Sequence, residues 1–452
     1  MKRIILKAGE EYRLLRGHPW VFDNEVAAIV DPKGDLVSLE PGELVDVESS
    51  RKTYVGRALA NPHSKIIARL YSPSKEGIDR GFFIHRLRKA LEWRRRWYNL
   101  DTTSVRLVFG EADGLPGLIV DRFVGWPLEQ VLSMYDGAQT TKNDGVGNPG
   151  EAFEGNADAQ RRPLTFDLLQ ERLGSPGVWY AVQFLSYGMD QRRSLVLEAL
   201  ENLLGKAKGI IERDDTPVRS LEGLTPRAGL LQGTWPEKGI CVFENQFPFV
   251  VDLLGGQKTG HFLDQRENRA RLEPFVKGGT VLDLCCHTGG FSIHAARYGA
   301  QEVLAVDVSK DALAMLHLNA RINGVSERIQ TLEGDVFEVL RNLVQERRQF
   351  DCIVLDPPAF AKTKTALAGA LRGYRDINRH ALLVLKRGGF LFTCSCSQAM
   401  TEDKFKEMIE MAAAEADRRL RLVEFRYQSI DHPILVGYDE SLYLKCGIYQ
   451  VL

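Results

Sequence analysis

The 452-residue chain has no long apolar run. Its longest uncharged stretch, residues 173–189, contains Gly, Ser, Gln and Pro. That falls short of the roughly 20 apolar residues needed to cross a bilayer. The run that opens the chain, Ile4-Ile5-Leu6, is too short for the core of a secretory signal, so no export signal is expected. There are seven cysteines, an odd count with no C-x-x-C pair, which argues against a disulfide framework and against a zinc site. Reduced thiols and a cytoplasmic location are expected. Charge of one sign is missing too: 59 basic and 60 acidic side chains leave −1. That balance excludes nothing, because a basic face can hide within it.

What is present is the composition of a globular protein, 44% hydrophobic and 26% charged, which excludes wholesale disorder and fibrous designs. The length suggests two or three domains. Residues 1–75 read as short strands, such as Leu44–Val47 and Lys65–Leu70, parted by Asp31-Pro32, Pro41-Gly42 and Asn61-Pro62 turns. Residues 76–246 read as a central α+β region. It opens with a helical stretch that carries seven basic and one acidic residue between positions 80 and 96. Arg86, Arg88, Lys89, Arg94, Arg95 and Arg96 there are candidate phosphate contacts. Trp93 and Trp97 can stack on bases, although i, i+4 spacing more often packs inward. An insertion is expected at about 126–177, with a mobile loop from Asp136 to Asp158, rich in Gly, Asn and Asp.

From 247 to 452 apolar strands alternate with amphipathic helices, the pattern of a parallel, doubly wound α/β sheet. Asp283-Leu-Cys-Cys-His-Thr-Gly-Gly290 joins a strand to a helix. Its glycines permit a tight turn with backbone N–H groups facing a ligand. The loop is not G-x-G-x-x-G, which disfavours a pyrophosphate and a nicotinamide oxidoreductase. Asp307, at the end of the next strand, can accept hydrogen bonds from ribose hydroxyls. Asp356-Pro-Pro-Ala-Phe360 leaves a strand along a stiff path, which holds Asp356 at the carboxyl edge, where it can bind a base edge. Thr393-Cys-Ser-Cys-Ser397 offers two thiols; alternation puts both on the same side, but only Cys396 lies beyond the sheet edge, which suits Cys394 to an inert, buried place. A polar segment, Gly256 to Arg269, suits a ligand gate or a solvated helix start.

These motifs together resemble the class I S-adenosylmethionine-dependent methyltransferases. They resemble most the bacterial large-subunit (23S) ribosomal RNA cytosine-5 methyltransferases that carry an N-terminal PUA domain. The segments G-Q-K-T-G-H-F-L-D-Q-R-E-N-R and Gly110-Glu-Ala-Asp-Gly-Leu-Pro-Gly117 support that likeness, as does His18-Pro19-Trp20 near the start. The resemblance implies a PUA-like domain over 1–75, a central domain over 76–246 and a Rossmann-like catalytic domain over 247–452. It implies S-adenosylmethionine as cofactor. Asp283 and Asp356 would line its pocket, the backbone around His287, Thr288, Gly289 and Gly290 would hold its methionine part, Asp307 its ribose, and Asp335 with Val336 its adenine. Cys396, seven residues after Gly389, would be the nucleophile, and Asp356 would hold the base. Many RNA cytosine-5 enzymes place a Cys after the two prolines; Ala359 stands there, and this branch generally lacks that Cys. Ribosomal RNA is the implied partner, no membrane or metal is expected, and a homodimer stays open. An N-methyltransferase of a purine in RNA and a non-catalytic RNA-binding or assembly protein are the competing readings.

Overall fold

A computed structural model describes residues 1–140, 163–255, 260–360 and 367–452, with backbone only for 137–140. The first 72 residues form a six-stranded sheet whose spatial order is Trp20–Val21, Ala68–Ser72, Tyr54–Ala60, Leu44–Glu48, Arg3–Leu6, Val26–Val30. Alternation along these strands turns Ile4, Leu6, Val45, Val47, Ala58 and Ala60 into one core. The strand expected at Lys65–Leu70 starts at Ala68 instead. The turn after Asn61 is longer than its Asn-Pro signal suggests, closed by Asn61 N–H donating to the Ile67 carbonyl at 2.8 Å.

A second, seven-stranded sheet is built around Leu118–Pro127, which pairs with Val105–Phe109, Gly177–Phe184 and Ile240–Glu244. The helices Arg80–Arg95 and Arg193–Leu204 cover it with Phe83, Leu87, Leu91, Val196 and Leu200. Phe247–Val251 pairs with Ile240–Glu244 as the last strand of this sheet. The parallel alternation expected from 247 therefore begins at Thr280. Both flanks of the expected 126–177 insertion are regular structure. Helices Leu128–Thr140 and Phe166–Leu173, with Leu164 just before the second, pack Val131, Tyr135 and Leu169 with Trp126 and Ile322. The mobile loop expected at Asp136–Asp158 falls, from residue 141 on, outside the described residues.

The third sheet is made of β1 (Thr280–Leu284), β2 (Glu302–Asp307), β3 (Ile329–Glu333), β4 (Phe350–Leu355), β5 (Leu385–Ser395), β6 (Leu420–Arg426) and β7 (Lys445–Val451). Its order is β3-β2-β1-β4-β5-β7-β6. Strands β1 to β5 are parallel. β7 runs antiparallel between β5 and β6, an edge the alternation pattern alone does not foresee. Helices α1 (Gly290–Arg297) and α2 (Lys310–Ile322) cover one face, where they also meet Phe247 and Phe249 of the central sheet. Helices α3 (Val336–Gln345), α4 (Leu367–Leu383) and α5 (Glu402–Glu415) cover the other. The strand order reverses between β1 and β4, and ligands of open α/β sheets bind outside the carboxyl ends at such a point. Among the described residues no helix is long and apolar enough to cross a membrane.

Asp431 pins the central region to the catalytic one. It is fully buried, and its carboxylate accepts from Arg266 Nη1 at 3.1 Å, His432 Nδ1 at 2.9 Å and the Arg106 N–H at 2.9 Å. Burial opposes its ionisation, but the Arg266 and His432 charges and these bonds hold the carboxyl well below its usual value.

Candidate active site

The loop after β1 is built on unusual backbone. Cys285 and His287 take left-handed φ values of 62° and 50°, and Gly289 takes 85°. A Cβ on Gly289 would lie 2.6 Å from Leu316 Cγ, and one on Gly290 would lie 2.5 Å from Arg269 Nε, so only glycine fits at either place. The bend is held by bonds from outside the loop. Asp307 Oδ2 accepts the His287 N–H at 2.8 Å, Asn319 Nδ2 donates to the Thr288 carbonyl at 2.9 Å, and the Cys286 N–H donates to the Val306 carbonyl at 3.0 Å. Asp307 thus shapes the loop with one oxygen, while the other accepts the Ser309 N–H at 2.9 Å.

Asp283 is buried and accepts Ser292 Oγ at 2.6 Å through Oδ2, while its Oδ1 has no hydrogen-bond partner among the described residues. Burial pushes its carboxyl up to about 7, and the charges of Asp356 and Asp307 add to the rise. The thiol of Cys285 is pushed up by burial and by Asp307, Asp356, Asp283 and Asp335 together. Four carboxylates therefore act on one loop, a field that suits a cationic ligand. An orphaned buried carboxyl oxygen and a loop open only to glycine fit a cofactor that carries a sulfonium and an ammonium group. Asp335 is exposed and caps α3, its Oδ1 accepting the Phe337 N–H at 2.8 Å, and Val336 is buried beside it.

Across the switch point, Asp356 follows β4 and accepts Gln265 Nε2 at 2.9 Å. Gln265 Oε1 in turn accepts Asn268 Nδ2 at 2.7 Å. Cys396 lies one residue beyond β5, half-buried, with Sγ 4.0 Å from the carbonyl oxygen of Pro357. Cys394 is fully buried opposite Cys446, whose hydrogen bond and the burial push its thiol well up. Tyr374 OH and Ser397 Oγ are 3.0 Å apart, and Phe360 packs on the Tyr374 ring at 4.5 Å. The arrangement sets one accessible thiol and one carboxylate at neighbouring strand ends, beside the glycine loop.

The polar segment before the catalytic sheet lies against this loop; its first residues, Gly256 to Thr259, are outside those described. Phe262 meets the His287 ring at 5.0 Å. Arg269 donates to the Phe262 carbonyl at 2.8 Å and pairs with the buried Glu244 at 2.7 Å. The density of polar side chains singles this segment out in the sequence; the separate partners of Gln265 and Arg269 are visible only in three dimensions.

The basic helix divides into two faces. Arg94 does not point to solvent, contrary to the expectation that it meets phosphate. It lies three, four and seven residues after Leu91, Ala90 and Leu87, on the buried stripe. There it pairs with Asp113 at 2.5 Å and donates to the Asp431 carbonyl at 2.7 Å. Arg86 is half-buried and donates to the Tyr71 carbonyl at 3.0 Å. Arg88, Lys89, Arg95 and Arg96 are exposed. Trp93 and Trp97, expected to pack inward, are 37% and 52% exposed and meet edge to face at 5.7 Å. Trp93 Nε1 donates to the Ile430 carbonyl at 3.3 Å, next to the Asp431 pin. Elsewhere, Asp190, Glu212 and Asp214 lie close enough to share a cation, but Arg219 sits 2.8 Å from Asp214 and 3.0 Å from Asp190.

Fold and site define a class I S-adenosylmethionine-dependent methyltransferase joined to a PUA-like domain. Residues 4–73 match the PUA-like domain family and residues 228–438 the S-adenosylmethionine-dependent methyltransferase family. Ribosomal RNA large subunit methyltransferase I of Klebsiella pneumoniae subsp. pneumoniae is 34% identical over 446 residues, 98% of this chain and 96% of that one. The protein of the same name from Cronobacter sakazakii is 34% identical over 98% of both chains. The chain belongs to this family of large-subunit ribosomal RNA methyltransferases. A solved putative methyltransferase complexed with S-adenosylhomocysteine shares the fold across 100% of both chains (TM-score 0.76, 21% identity). So does a putative S-adenosylmethionine-dependent methyltransferase from Streptococcus mutans, over 99% of this chain (TM-score 0.74, 21% identity).

Proposed function

We propose that this protein methylates C5 of a cytosine in large-subunit ribosomal RNA, with Cys396 as nucleophile and Asp356 holding the base. The observation that carries the reading is the closeness of Cys396 Sγ to the Pro357 carbonyl, one residue from Asp356. C5 of cytosine is too weak a nucleophile to take a methyl group unaided. The Cys396 thiolate attacks C6, the ring becomes an enamine, and C5 gains nucleophilic character. S-adenosylmethionine supplies the electrophilic methyl group when bound. A base then removes the C5 proton, the C5–H electron pair restores the C5=C6 double bond, and the C6–S bond breaks with its pair returning to sulfur. Asp356 binds the base edge and supports protonation at N3, which stabilises charge developing on the ring; Gln265 keeps its carboxylate in place.

The roles assigned to the cofactor cradle follow the same reading. Gly289 and Gly290 give close backbone approach, with His287 and Thr288 beside the methionine part. Asp307 keeps lone pairs for ribose, Asp335 and Val336 border the adenine, and Asp283 faces the positive charge. A base must leave its stack to reach C6, so the RNA is single-stranded or opened at the target. Arg88, Lys89, Arg95 and Arg96, with the PUA-like domain, meet the RNA backbone, and the ribosomal substrate implies work in the cytoplasm. Mass or bisulfite mapping of ribosomal RNA from cells with and without the gene tests the reading. A 5-methylcytosine that disappears with the gene, and is not restored by Cys396→Ala, is the expected result. An N-methylpurine product, or full C5 methylation by Cys396→Ala, overturns it.

A further inference from the structure

Lys445 opens β7 opposite Ser395 of β5, in the register that also sets Cys446 against Cys394. Its side chain is 1% exposed. Nζ donates to the Ser397 carbonyl at 2.8 Å and to the Tyr443 carbonyl at 2.8 Å. Among the described residues no carboxylate lies within ion-pairing distance of it. A buried ammonium held only by main-chain carbonyls is costly, since neither acceptor carries a full charge. One of those carbonyls belongs to the residue that follows Cys396. The chain thus keeps a cation beneath the candidate nucleophile without giving it a permanent counter-ion.

We propose that Lys445 is the charge complement of the Cys396 thiolate, holding the sulfur anionic before it attacks and receiving it back when the C6–S bond breaks. The inference rests on the cytosine-5 reading above. In forming the anion, the thiol proton goes to solvent and Lys445 keeps its own; when the bond to C6 breaks, the electron pair returns to sulfur beside the ammonium. Other ionisable groups face the same place. Asp356 at the end of β4 is a carboxyl whose Oδ2 accepts Gln265 Nε2. Tyr374 on α4 is a neutral phenol whose ionisation is resisted by burial and also by Cys396. Burial lowers the Lys445 ammonium to about 8, and the charge of Cys396 raises it again. Such coupling is reciprocal: what the thiolate does to keep the ammonium protonated, the ammonium does to keep the thiol ionised. Lys445 is a positioning and electrostatic residue, since it acts through Cys396.

The test is the pH dependence of Cys396 alkylation by iodoacetamide in the full-length protein, followed on the Cys396 peptide by mass spectrometry. In the wild type the midpoint should lie at least one pH unit below the ~8.5 of a free thiol. A midpoint at or above ~8.5 overturns the proposal without any variant. Lys445→Met should raise the midpoint by a unit or more and slow alkylation at pH 7 about tenfold, while Lys445→Arg keeps the wild-type midpoint. A Lys445→Met protein that binds S-adenosylhomocysteine normally yet keeps the wild-type midpoint also overturns it. Failure of the underlying reading looks different: Cys396→Ala would still form 5-methylcytosine, whatever the thiol midpoint.

Discussion

Gln265 donates from Nε2 to Oδ2 of Asp356 across 2.9 Å, so a residue outside the catalytic sheet sets the carboxylate at its edge. The bond separates two contributions. Asp356→Asn removes the charge that stabilises the developing cation on the base, and should lower the single-turnover rate by about 10²–10³. Gln265→Ala leaves the charge but frees its orientation. One lost hydrogen bond of about 1 kcal/mol corresponds to roughly a fivefold loss. Rates of 5-methylcytosine formation under saturating RNA check both. Equal losses in the two variants would mean that Asp356 matters for structure rather than for the ring.

Asp431 should dominate the stability of the junction between the central and catalytic regions. Asp431→Asn leaves Arg266 buried without its counter-charge, which typically costs about 3–5 kcal/mol. The sign with pH follows from the lowered carboxyl. Its contribution is complete above the unfolded value near 3.9 and is lost as pH falls through the lower, folded value. Urea melts of wild type and Asp431→Asn should therefore differ most at pH 6–7 and draw together as pH falls below the unfolded value. A gap independent of pH would show that packing, not charge, is what Asp431 supplies.

Asp283 behaves in the opposite sense. Its carboxyl sits at about 7, so the stabilisation it gives is complete below the unfolded value near 3.9 and fades as pH rises through 7. A cation in the cradle draws the group into its charged form. Binding of S-adenosylmethionine should release up to one proton near pH 6 and tighten as pH rises from 6 to 8. S-adenosylhomocysteine, which lacks the sulfonium charge, should gain less. Calorimetry in buffers of different ionisation enthalpy measures the protons, and Asp283→Asn should abolish the trend. Proton release that persists in Asp283→Asn would remove this role from Asp283.

The parts of this molecule that were readable in the sequence are those carried by local pattern. Val281, Leu282 and Leu284 are apolar because β1 is covered on both faces, and Gly289-Gly290 marks a turn because no Cβ fits there. The Cys394/Cys396 distinction follows from where the strand stops: alternation puts both on one side, and β5 ends at Ser395, between them. What escaped depends on long-range pairing. Nothing in Phe247–Val251 says that it joins the central sheet, because an apolar strand reads alike in either sheet. Arg94 looks like its basic neighbours until the helix is set against Asp113 and Asp431. Lys445 and Asp431 come from a C-terminal stretch without any motif, and their meaning depends on which strand and which loop they touch.

The exposed face of the basic helix should show itself through salt. Arg88, Lys89, Arg95 and Arg96 are exposed, and each that meets a phosphate of single-stranded RNA adds about 0.7 to the slope of log affinity against log salt. Replacing all four by Gln should flatten that slope by up to about 3. Arg94→Gln should instead lower the melting temperature and leave the slope unchanged, because its partners are protein groups. The Trp93 and Trp97 rings act by another force. Stacking on an unpaired base contributes about 1–3 kcal/mol per base and depends little on salt. Trp93→Ala and Trp97→Ala should therefore weaken RNA binding by a constant amount across salt concentrations. Filter binding of a single-stranded ribosomal RNA fragment from 50 to 300 mM salt separates the two effects. If the four-fold Gln variant keeps the wild-type slope, the RNA path does not cross this helix, and the PUA-like domain alone carries the backbone contacts.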